Sequence, residues 1–147
     1  MFELGTDGPS VILAGIDGSQ SSLRAAAYAA GLARRQGSLL VVAFMQSYGV
    51  TGSPEAAAAS AELGRQLAED LEKQLREAAA RVPEAAHLRW EFHTRRGDPY
   101  NGLVELAKEL RADAVVIGAS EKAGHRILGS VAIRLVKAGR WPVTVVP

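Results

Sequence analysis

Two glycine-containing segments of this 147-residue chain carry residue types suited to binding a phosphate or a ribose. The first is Asp17-Gly18-Ser19, which ends an apolar run, and the second extends from Gly118 to Ser130 and leads into a helical pattern. Bare N–H groups at a helix N-terminus attract phosphate because they already carry partial positive charge. The Ser130 hydroxyl can cap that helix or reach a phosphate oxygen. An ordinary surface loop with an N-cap explains the same residues.

Alternating apolar and helical patterns predict the elements that hold these two segments. The predicted strands are 11–16, 39–45, 88–94, 114–117 and 143–146; the predicted helices run from Ser21 or Ser22 to Gln36, from about Glu55 to Val82, from Pro99 to about Leu110, and from Ser130 to Ala138. The pattern predicts one domain over residues 1–147, of the α/β class. We expect a Rossmann-like, doubly wound fold with a five-stranded parallel sheet in the order 3-2-1-4-5 and helices on both faces.

Helical spacing also predicts which side chains each helix buries. The expected buried positions are Leu23, Ala26, Ala27, Ala30 and Ala33 in the first helix, Leu63, Leu67, Leu71 and Leu75 in the second, Leu103, Val104, Ala107 and Leu110 in the third, and Val131, Ala132, Leu135 and Val136 in the fourth. Gly37 is suited to a left-handed helix end, and Asp98 before Pro99 to a helix start.

The predicted strand order places the two segments together. In doubly wound sheets a ligand binds at the carboxyl ends of the strands, where the order reverses, which here is between the first and fourth strands. Asp17–Ser19 follows the first strand and Gly118–Ser130 follows the fourth. This placement favours a binding site over a plain surface loop.

Composition argues against several other kinds of partner. Charged residues make up 22% of the chain and leave a net charge of +1, so neither nucleic acid nor an anionic membrane is an expected partner. The chain has no cysteine, which excludes disulfides and thiolate catalysis and suits the cytoplasm. Residues 1–10 are too polar for a signal peptide, and no apolar run reaches about 20 residues. We expect a soluble, cytoplasmic protein.

The last predicted strand, Val143 to Val146, is short, apolar and unguarded by charge. An unpaired strand at a sheet edge invites pairing with another chain. A two-fold homodimer through this strand would bury the edge. The alternative is that so short an edge is tolerated.

Four segments of the sequence together resemble the universal stress proteins of the UspA type, along nearly the whole chain. They are the strand end Gly15-Ile16-Asp17-Gly18-Ser19, the turn Gly97-Asp98-Pro99, the strand Ala114 to Gly118, and the closing run from Gly129-Ser130-Val131 through Trp141-Pro142 to Val146. The resemblance implies a homodimer through the last strand. It also implies, as in many members, ATP bound where the strand order reverses.

The resemblance also implies roles for individual residues. Asp17 would hold the ribose or adenine, and Phe44 would lie against the base through its backbone. Ile117 and Gly118 would flank the ribose and phosphates. The complete expected binding set is Gly15, Ile16, Asp17, Ser19, Phe44, Ile117, Gly118, Gly124, Gly129, Ser130 and Val131. For Asp17 the alternative is a turn residue that accepts a hydrogen bond from its own backbone.

The loop after Gly118 departs from the ATP-binding members, which resemble G-x-x-G, then nine residues, then G-S or G-T. Here Glu121 stands in place of the second glycine, and Gly129 follows after seven more residues. A carboxylate near a polyphosphate is unfavourable unless it points away or holds a metal. Gly124 offers a close backbone approach in a differently shaped loop, and the nearby cations are Lys122, His125 and Arg126.

The leading hypothesis is a cytoplasmic stress-response homodimer that binds an adenine nucleotide and regulates an unknown protein partner. The nucleotide is ATP, with Mg²⁺ as an optional companion, or a smaller relative such as AMP or cyclic AMP. The alternative is a structural or signalling dimer whose site is degenerate and binds no nucleotide. No catalytic dyad or triad is visible, so we expect no enzyme beyond slow, incidental ATP hydrolysis. A third hypothesis, an ATP-pyrophosphatase type of enzyme, rests on a faint echo of its signature at residues 14–19.

Overall fold

A single parallel sheet with helices on both faces forms the framework of the computed structural model, which describes residues 8–47, 52–120 and 129–147. The strands are β1 (Val11–Ile16), β2 (Leu39–Gln46), β3 (Arg89–Arg96), β4 (Ala114–Gly118) and β5 (Val143–Val146). The helices are α1 (Gln20–Gln36), α2 (Pro54–Ala80), α3 (Pro99–Leu110) and α4 (Ser130–Ala138), with a short 3₁₀ helix at Pro83–His87. Among the described residues, no helix is long and apolar enough to cross a membrane.

The strand order is β3-β2-β1-β4-β5, with every pairing parallel, as the sequence predicts. β1 lies in the middle, opposite β2 on one side and β4 on the other. Consecutive strands β1, β2 and β3 extend the sheet in one direction, whereas β4 and β5 extend it in the other. The order therefore reverses between β1 and β4.

Each face of the sheet carries its own apolar layer. Ile12, Ala14 and Ile16 of β1 pack with α1 and α2, while Leu13 faces the layer formed with α3 and α4. This alternation is the two-residue period of a strand buried on both faces. Full burial of a side chain such as Leu13 stabilises the fold by about 1.5–3 kcal/mol.

Three of the helix ends follow from local sequence. Gly37 and Gly139 end α1 and α4 in the left-handed conformation, with φ of 68° and 62°. Asp98 starts α3, its carboxylate accepting a hydrogen bond from the Asn101 N–H at 3.0 Å. The start of α1 was predicted wrongly: Ser19 is the N-cap, and Ser21 and Ser22, the expected caps, are buried inside the first turn.

The buried faces of the helices differ from those that the spacing predicts. In α1 the buried alanines are Ala25, Ala26, Ala29 and Ala33, while Ala27 is exposed and Leu23 and Ala30 are half-buried. In α3 Leu106 is buried with Leu103 and Ala107, and the expected Val104 and Leu110 are half-buried. In α4 Ala132 and Leu135 are buried, Val131 is half-buried, and Val136 is 55% exposed.

The leucines of α2 show why some positions that the spacing predicts to be core are exposed. Leu71 is 3% exposed, but Leu63 and Leu67, predicted to be core, are 67% and 45% exposed. Each four-residue step advances about 400° around a helix and so drifts by about 40°. A line of leucines at this spacing therefore turns gradually away from the sheet, and only the part centred on Leu71 reaches the core.

Candidate functional site

The carboxyl ends of β1, β2 and β4 gather most of the predicted binding residues at one edge of the sheet. Ile16 lies opposite Phe44 of β2, and Gly15 lies opposite Ile117 of β4. The side chains of Ile16, Phe44 and Ile117 are at most 5% exposed. Their side chains belong to the core, and the contact through the Phe44 backbone that the resemblance implies stays a prediction.

The turn between β1 and α1 is a dense local network. The Ser19 N–H donates to Asp17 Oδ1 at 2.9 Å, and the Asp17 N–H donates to Ser22 Oγ at 3.3 Å. Ser22 Oγ in turn donates to the Ser19 carbonyl oxygen at 2.8 Å, and the Ser22 N–H donates to Ser19 Oγ. Asp17 therefore acts as a turn residue whose carboxylate accepts a backbone hydrogen bond, which is the alternative given for it from the sequence. Its side chain is nevertheless exposed, so the turn does not conceal the carboxylate.

The Asp17 carboxyl is ionised at neutral pH. Partial burial raises its pKa, but hydrogen bonds from Ser19 and Ser22 favour the charged form and together bring the pKa below its ordinary value of 3.8. An ionised carboxylate only accepts hydrogen bonds. It therefore suits a hydroxyl or amino group of a ligand and repels a phosphate.

Gly118 lies directly beneath the first turn of α1. A Cβ built on this glycine would lie 2.5 Å from the Ser21 carbonyl carbon and 2.6 Å from the Ser22 nitrogen. Ser21 Oγ donates to the Ala119 carbonyl oxygen at 2.6 Å, which fastens the end of β4 to the same turn. Close packing between β4 and α1 requires the glycine, whether or not a phosphate approaches.

α4 begins beside the end of β4. Gly129 is its N-cap, and a Cβ built there would lie 3.2 Å from the Cβ of Ser120. The sequence allowed Ser130 to be the N-cap of this helix. It is instead the first helical residue, so its hydroxyl does not cap the helix. The N-caps of α1, α2 and α3 each accept a hydrogen bond through a side chain, whereas Gly129 has none to offer. Among the described residues, Gly129 therefore provides no side-chain acceptor for the first-turn N–H groups of α4, which include those of Ser130 and Val131.

Residues 10–147 match the sequence pattern of the Universal stress protein family. The chain belongs to the universal stress protein family. A universal stress protein of Methanocaldococcus jannaschii is 34% identical over 137 residues, which cover 88% of this chain and 77% of that protein. UspA of Lactobacillus plantarum has the same fold, with a TM-score of 0.80, 21% identity, and coverage of 94% of this chain and 97% of its own.

A further solved structure, a universal stress protein in complex with cAMP, is 29% identical to this chain. Its TM-score is 0.64, and the match covers 94% of this chain and 96% of that one. The fold and family predicted from the four sequence segments are thus confirmed.

The centre of the loop between β4 and α4 lies outside the described residues of this universal stress protein. Gly124 is the one predicted binding residue there, and Glu121, Lys122, His125 and Arg126 lie there with it. Within the described ranges, no group of three or more histidine, aspartate or glutamate side chains is placed to hold a metal ion.

Ser21 and Ser22 have a structural role in this universal stress protein that their sequence pattern does not predict. Both side chains are at most 5% exposed, and their hydroxyls join the first turn of α1 to the ends of β1 and β4. The one available signal was a pair of serines opening an otherwise alanine-rich helix. The same pair of serines is also typical of an exposed helix N-cap, which is the role that the sequence predicts for one of them.

A cavity of about 490 Å³ lies next to this edge, between α2 and the ends of β2 and β3. Its floor includes Phe92, Thr94 and Gln46, whose amide donates to the Ser60 carbonyl oxygen of α2 at 3.3 Å. Its charged rim is largely neutralised along α2, since Arg65 pairs with Glu69 and Arg76 pairs with Glu72. Arg96 of β3 also lines the cavity.

Proposed function

We propose that this universal stress protein binds an adenine nucleotide between the ends of β1 and β4. One observation carries the proposal: the first turn of α4, which lacks a side-chain cap, and the exposed, ionised carboxylate of Asp17 follow adjacent strands at the point of reversal. The first suits an anion and the second suits a hydroxyl or amino donor. A nucleotide presents both kinds of group. The relative that is in complex with cAMP supports the choice of ligand.

In this proposal the phosphate accepts hydrogen bonds from the Ser130 and Val131 N–H groups and from the Ser130 hydroxyl. Asp17 accepts from the ribose or the adenine amino group. The backbone from Gly15 to Ile16 and from Ile117 to Gly118 forms the floor, and the Phe44 backbone lies against the base. Ser19 and Gly129 complete the phosphate cradle. Among the described residues, the site supplies hydrogen-bond donors from α4 and the acceptor Asp17, and we propose binding without catalysis.

A nucleotide with one phosphate, AMP or cyclic AMP, is the preferred ligand in this proposal. Of the two helix N-termini at this edge, only that of α4 lacks a side-chain cap among the described residues, and Glu121 replaces the second glycine of the ATP-binding pattern in the sequence. A triphosphate brings more negative charge near that carboxylate than a monophosphate does. ATP, with or without Mg²⁺, is the competitor that the same assay measures.

We further propose that the chain works as a homodimer in the cytoplasm and that nucleotide occupancy regulates a protein partner. β5 ends the sheet and pairs with β4 alone among the described strands. The helix before it, α4, exposes Ile133 and Val136 by 37% and 55%. A second copy on this edge would cover both the unpaired backbone and apolar side chains.

Calorimetric titration with cyclic AMP, AMP and ATP, the last with and without Mg²⁺, tests the site. Asp17→Asn keeps an oxygen for the Ser19 N–H but removes the charge, so it separates the ligand contact from the turn. We expect about fivefold weaker binding, the difference between a charged and a neutral acceptor. Ser130→Ala should weaken binding about two- to fivefold. Glu84→Gln, which changes an exposed carboxylate before β3 at the opposite edge, should bind as the natural chain does.

A degenerate site is the second candidate, and a specific observation favours it. Asp17 and Ser19 serve the turn, and Gly118 serves the packing of β4 on α1, so all three residues have a role without a ligand. If no nucleotide binds the folded protein at millimolar concentration, the degenerate site is correct. If Asp17→Asn and Ser130→Ala both bind like the natural chain, the nucleotide lies elsewhere.

A further inference from the structure

An apolar groove runs between α1 and α2 on one face of the sheet. Its volume is about 460 Å³, within the range of small-molecule pockets. Its walls are Leu23, Ala26, Ala27, Ala30, Gly31 and Arg34 of α1 and Gln74, Leu75, Ala78 and Ala79 of α2. Leu40, Val42 and Trp90 of the sheet form its floor, and Val82, Ala85 and Leu88 complete the lining.

Both helices present small side chains to the groove. Ala27, Ala30 and Gly31 on α1 face the same space as Ala78 and Ala79 on α2. Bulkier residues at these positions would fill the space and cover the floor. Small-molecule sites are typically concave and lined mainly by apolar side chains, as this groove is.

Arg34 is the one charged side chain among the lining residues. It is exposed in the last turn of α1, and no ion pair among the described residues includes it. Arg76, by contrast, pairs with Glu72 and lies 4.9 Å from the centre of the Trp90 ring. The groove therefore combines apolar walls with one cation free to pair with an anion at its mouth.

We propose that this groove binds an amphipathic monoanion of the fatty-acid type, its apolar chain between α1 and α2 and its carboxylate paired with Arg34. A nucleotide is too polar for these walls, so the proposal concerns a second ligand. It is independent of the proposed nucleotide function. Arg34 lies near the C-terminus of α1, whereas Asp17 precedes the N-terminus of the same helix.

Tryptophan emission can report on the groove directly. The chain has two tryptophans: Trp90 on the groove floor, and Trp141, which packs against the layer on the other face of the sheet. In a Trp141→Phe background, sodium decanoate below its micellar concentration should shift the Trp90 emission saturably. Decanol and decylammonium, which have the same tail without the negative charge, should bind more weakly. If all three bind alike, or if decanoate causes no saturable shift, the proposal is wrong.

Matched variants locate the site. Ala78→Leu fills the groove and should weaken decanoate binding about tenfold, whereas Ala80→Leu lies on α2 outside the lining and should have no effect. Both alanines are exposed, so both variants should fold, which their melting curves would show. Arg34→Gln should weaken binding about two- to fivefold, and Arg35→Gln, its exposed neighbour, should not.

Two results would overturn the assignment even if decanoate binds. Equal affinity of the Ala78→Leu and Ala80→Leu variants would place decanoate outside the groove. If Ala78→Leu instead dissociates a dimer of the natural chain, as seen by analytical ultracentrifugation, then a second copy and not a fatty acid occupies the groove.

Discussion

Gly118 lies where the end of β4 passes under the first turn of α1, with the Ser21 and Ser22 backbone close to the position of a missing Cβ. We expect Gly118→Ala to lower the free energy of unfolding by about 1–3 kcal/mol, because backbone atoms on both sides must shift to admit a methyl group. Urea denaturation measures this change. Its size shows how much of the glycine's role is packing.

Gly31 supplies the matched control for that substitution. It lies within α1, and a Cβ there would meet nothing within 4 Å. Gly31→Ala should therefore stabilise the protein by about 0.5–1 kcal/mol through helix propensity. If Gly118→Ala were as stable as Gly31→Ala, β4 and α1 would not be packed as closely as described.

Asp17 gives the stability of the fold a pH dependence with a definite sign. Its pKa in the folded protein is below the ordinary 3.8, so the native state holds the proton less tightly than the unfolded chain does. The stabilisation is complete above the unfolded pKa and is lost as pH falls through the lower, folded pKa. We expect Asp17→Asn to cost about 0.5 kcal/mol near pH 6, with the gap to the natural chain closing below pH 3.8.

Urea midpoints of the natural chain and Asp17→Asn, measured from about pH 6 to pH 3, test this sign. Taking the difference between the two proteins removes the titration of their other carboxylates. A gap that widened as pH fell would mean that Asp17 is stabilised in its protonated form, which contradicts the hydrogen bonds from Ser19 and Ser22.

Within the helix α2, leucines of the same sequence pattern differ in how deeply they are buried. Leu67 and Leu71 are four residues apart in one line of leucines, yet they are 45% and 3% exposed. Leu71→Ala should cost about 2–3 kcal/mol by leaving a cavity in the core. Leu67→Ala should change the stability by no more than about 0.5 kcal/mol. Thermal and urea unfolding compare the two, and equal losses would show that the whole line is buried.

The elements themselves were predictable because both-face-apolar strands and capped helices depend on local sequence. β1 and β4 could be recognised as central, and Asp98 as a helix start, from their own residues. The buried faces of the helices were less predictable, because the turns of a helix that reach the sheet depend on how the helix crosses it and not on periodicity alone. Ser21 was placed wrongly because its partner Ala119 is distant in sequence, whereas Ser22 bonds to Asp17 and Ser19 within the same turn.

The candidate site was also predictable only in part: the sequence predicts where its residues lie but not what each of them does. The approach of Gly15, Asp17 and Gly118 to one edge followed from strand order, which local patterns and the rule for doubly wound sheets supply. The individual roles did not follow, because a glycine or aspartate at a switch point serves packing and ligand binding equally well. Only the contacts of Gly118 with α1, and of Asp17 with Ser19, show that packing and turn roles are present.

For the molecule as a whole, one sheet holds two surfaces of opposite chemistry. The edge formed by the ends of β1 and β4 offers Asp17 and the first turn of α4 to a polar ligand. The groove between α1 and α2 offers apolar walls and Arg34. Both surfaces use α1, whose first turn is joined to the ends of β1 and β4 and whose later turns line the groove.

The free edge of β5 allows a sharp test of the proposed homodimer. The carbonyl oxygens of Pro142 and Val146 accept hydrogen bonds from Val115 and Ala119 on the β4 side. Because successive residues of a strand direct their backbone groups to alternate sides, the N–H of Val145 faces away from β4. Val145→Pro therefore removes a donor from the outer edge and leaves the pairing with β4 intact. We expect this variant to be a folded monomer by analytical ultracentrifugation.

Val145→Ala is the control, because it trims the same half-buried side chain but keeps the N–H. It should lose some stability to the smaller side chain and remain a dimer. The pair thus separates backbone pairing at the edge from apolar packing beside it. If Val145→Pro stays dimeric, the two copies meet elsewhere, and the exposed Ile133 and Val136 of α4 become the next positions to change. If the natural chain is itself monomeric, the short edge is tolerated without a partner, which is the alternative that its length allows.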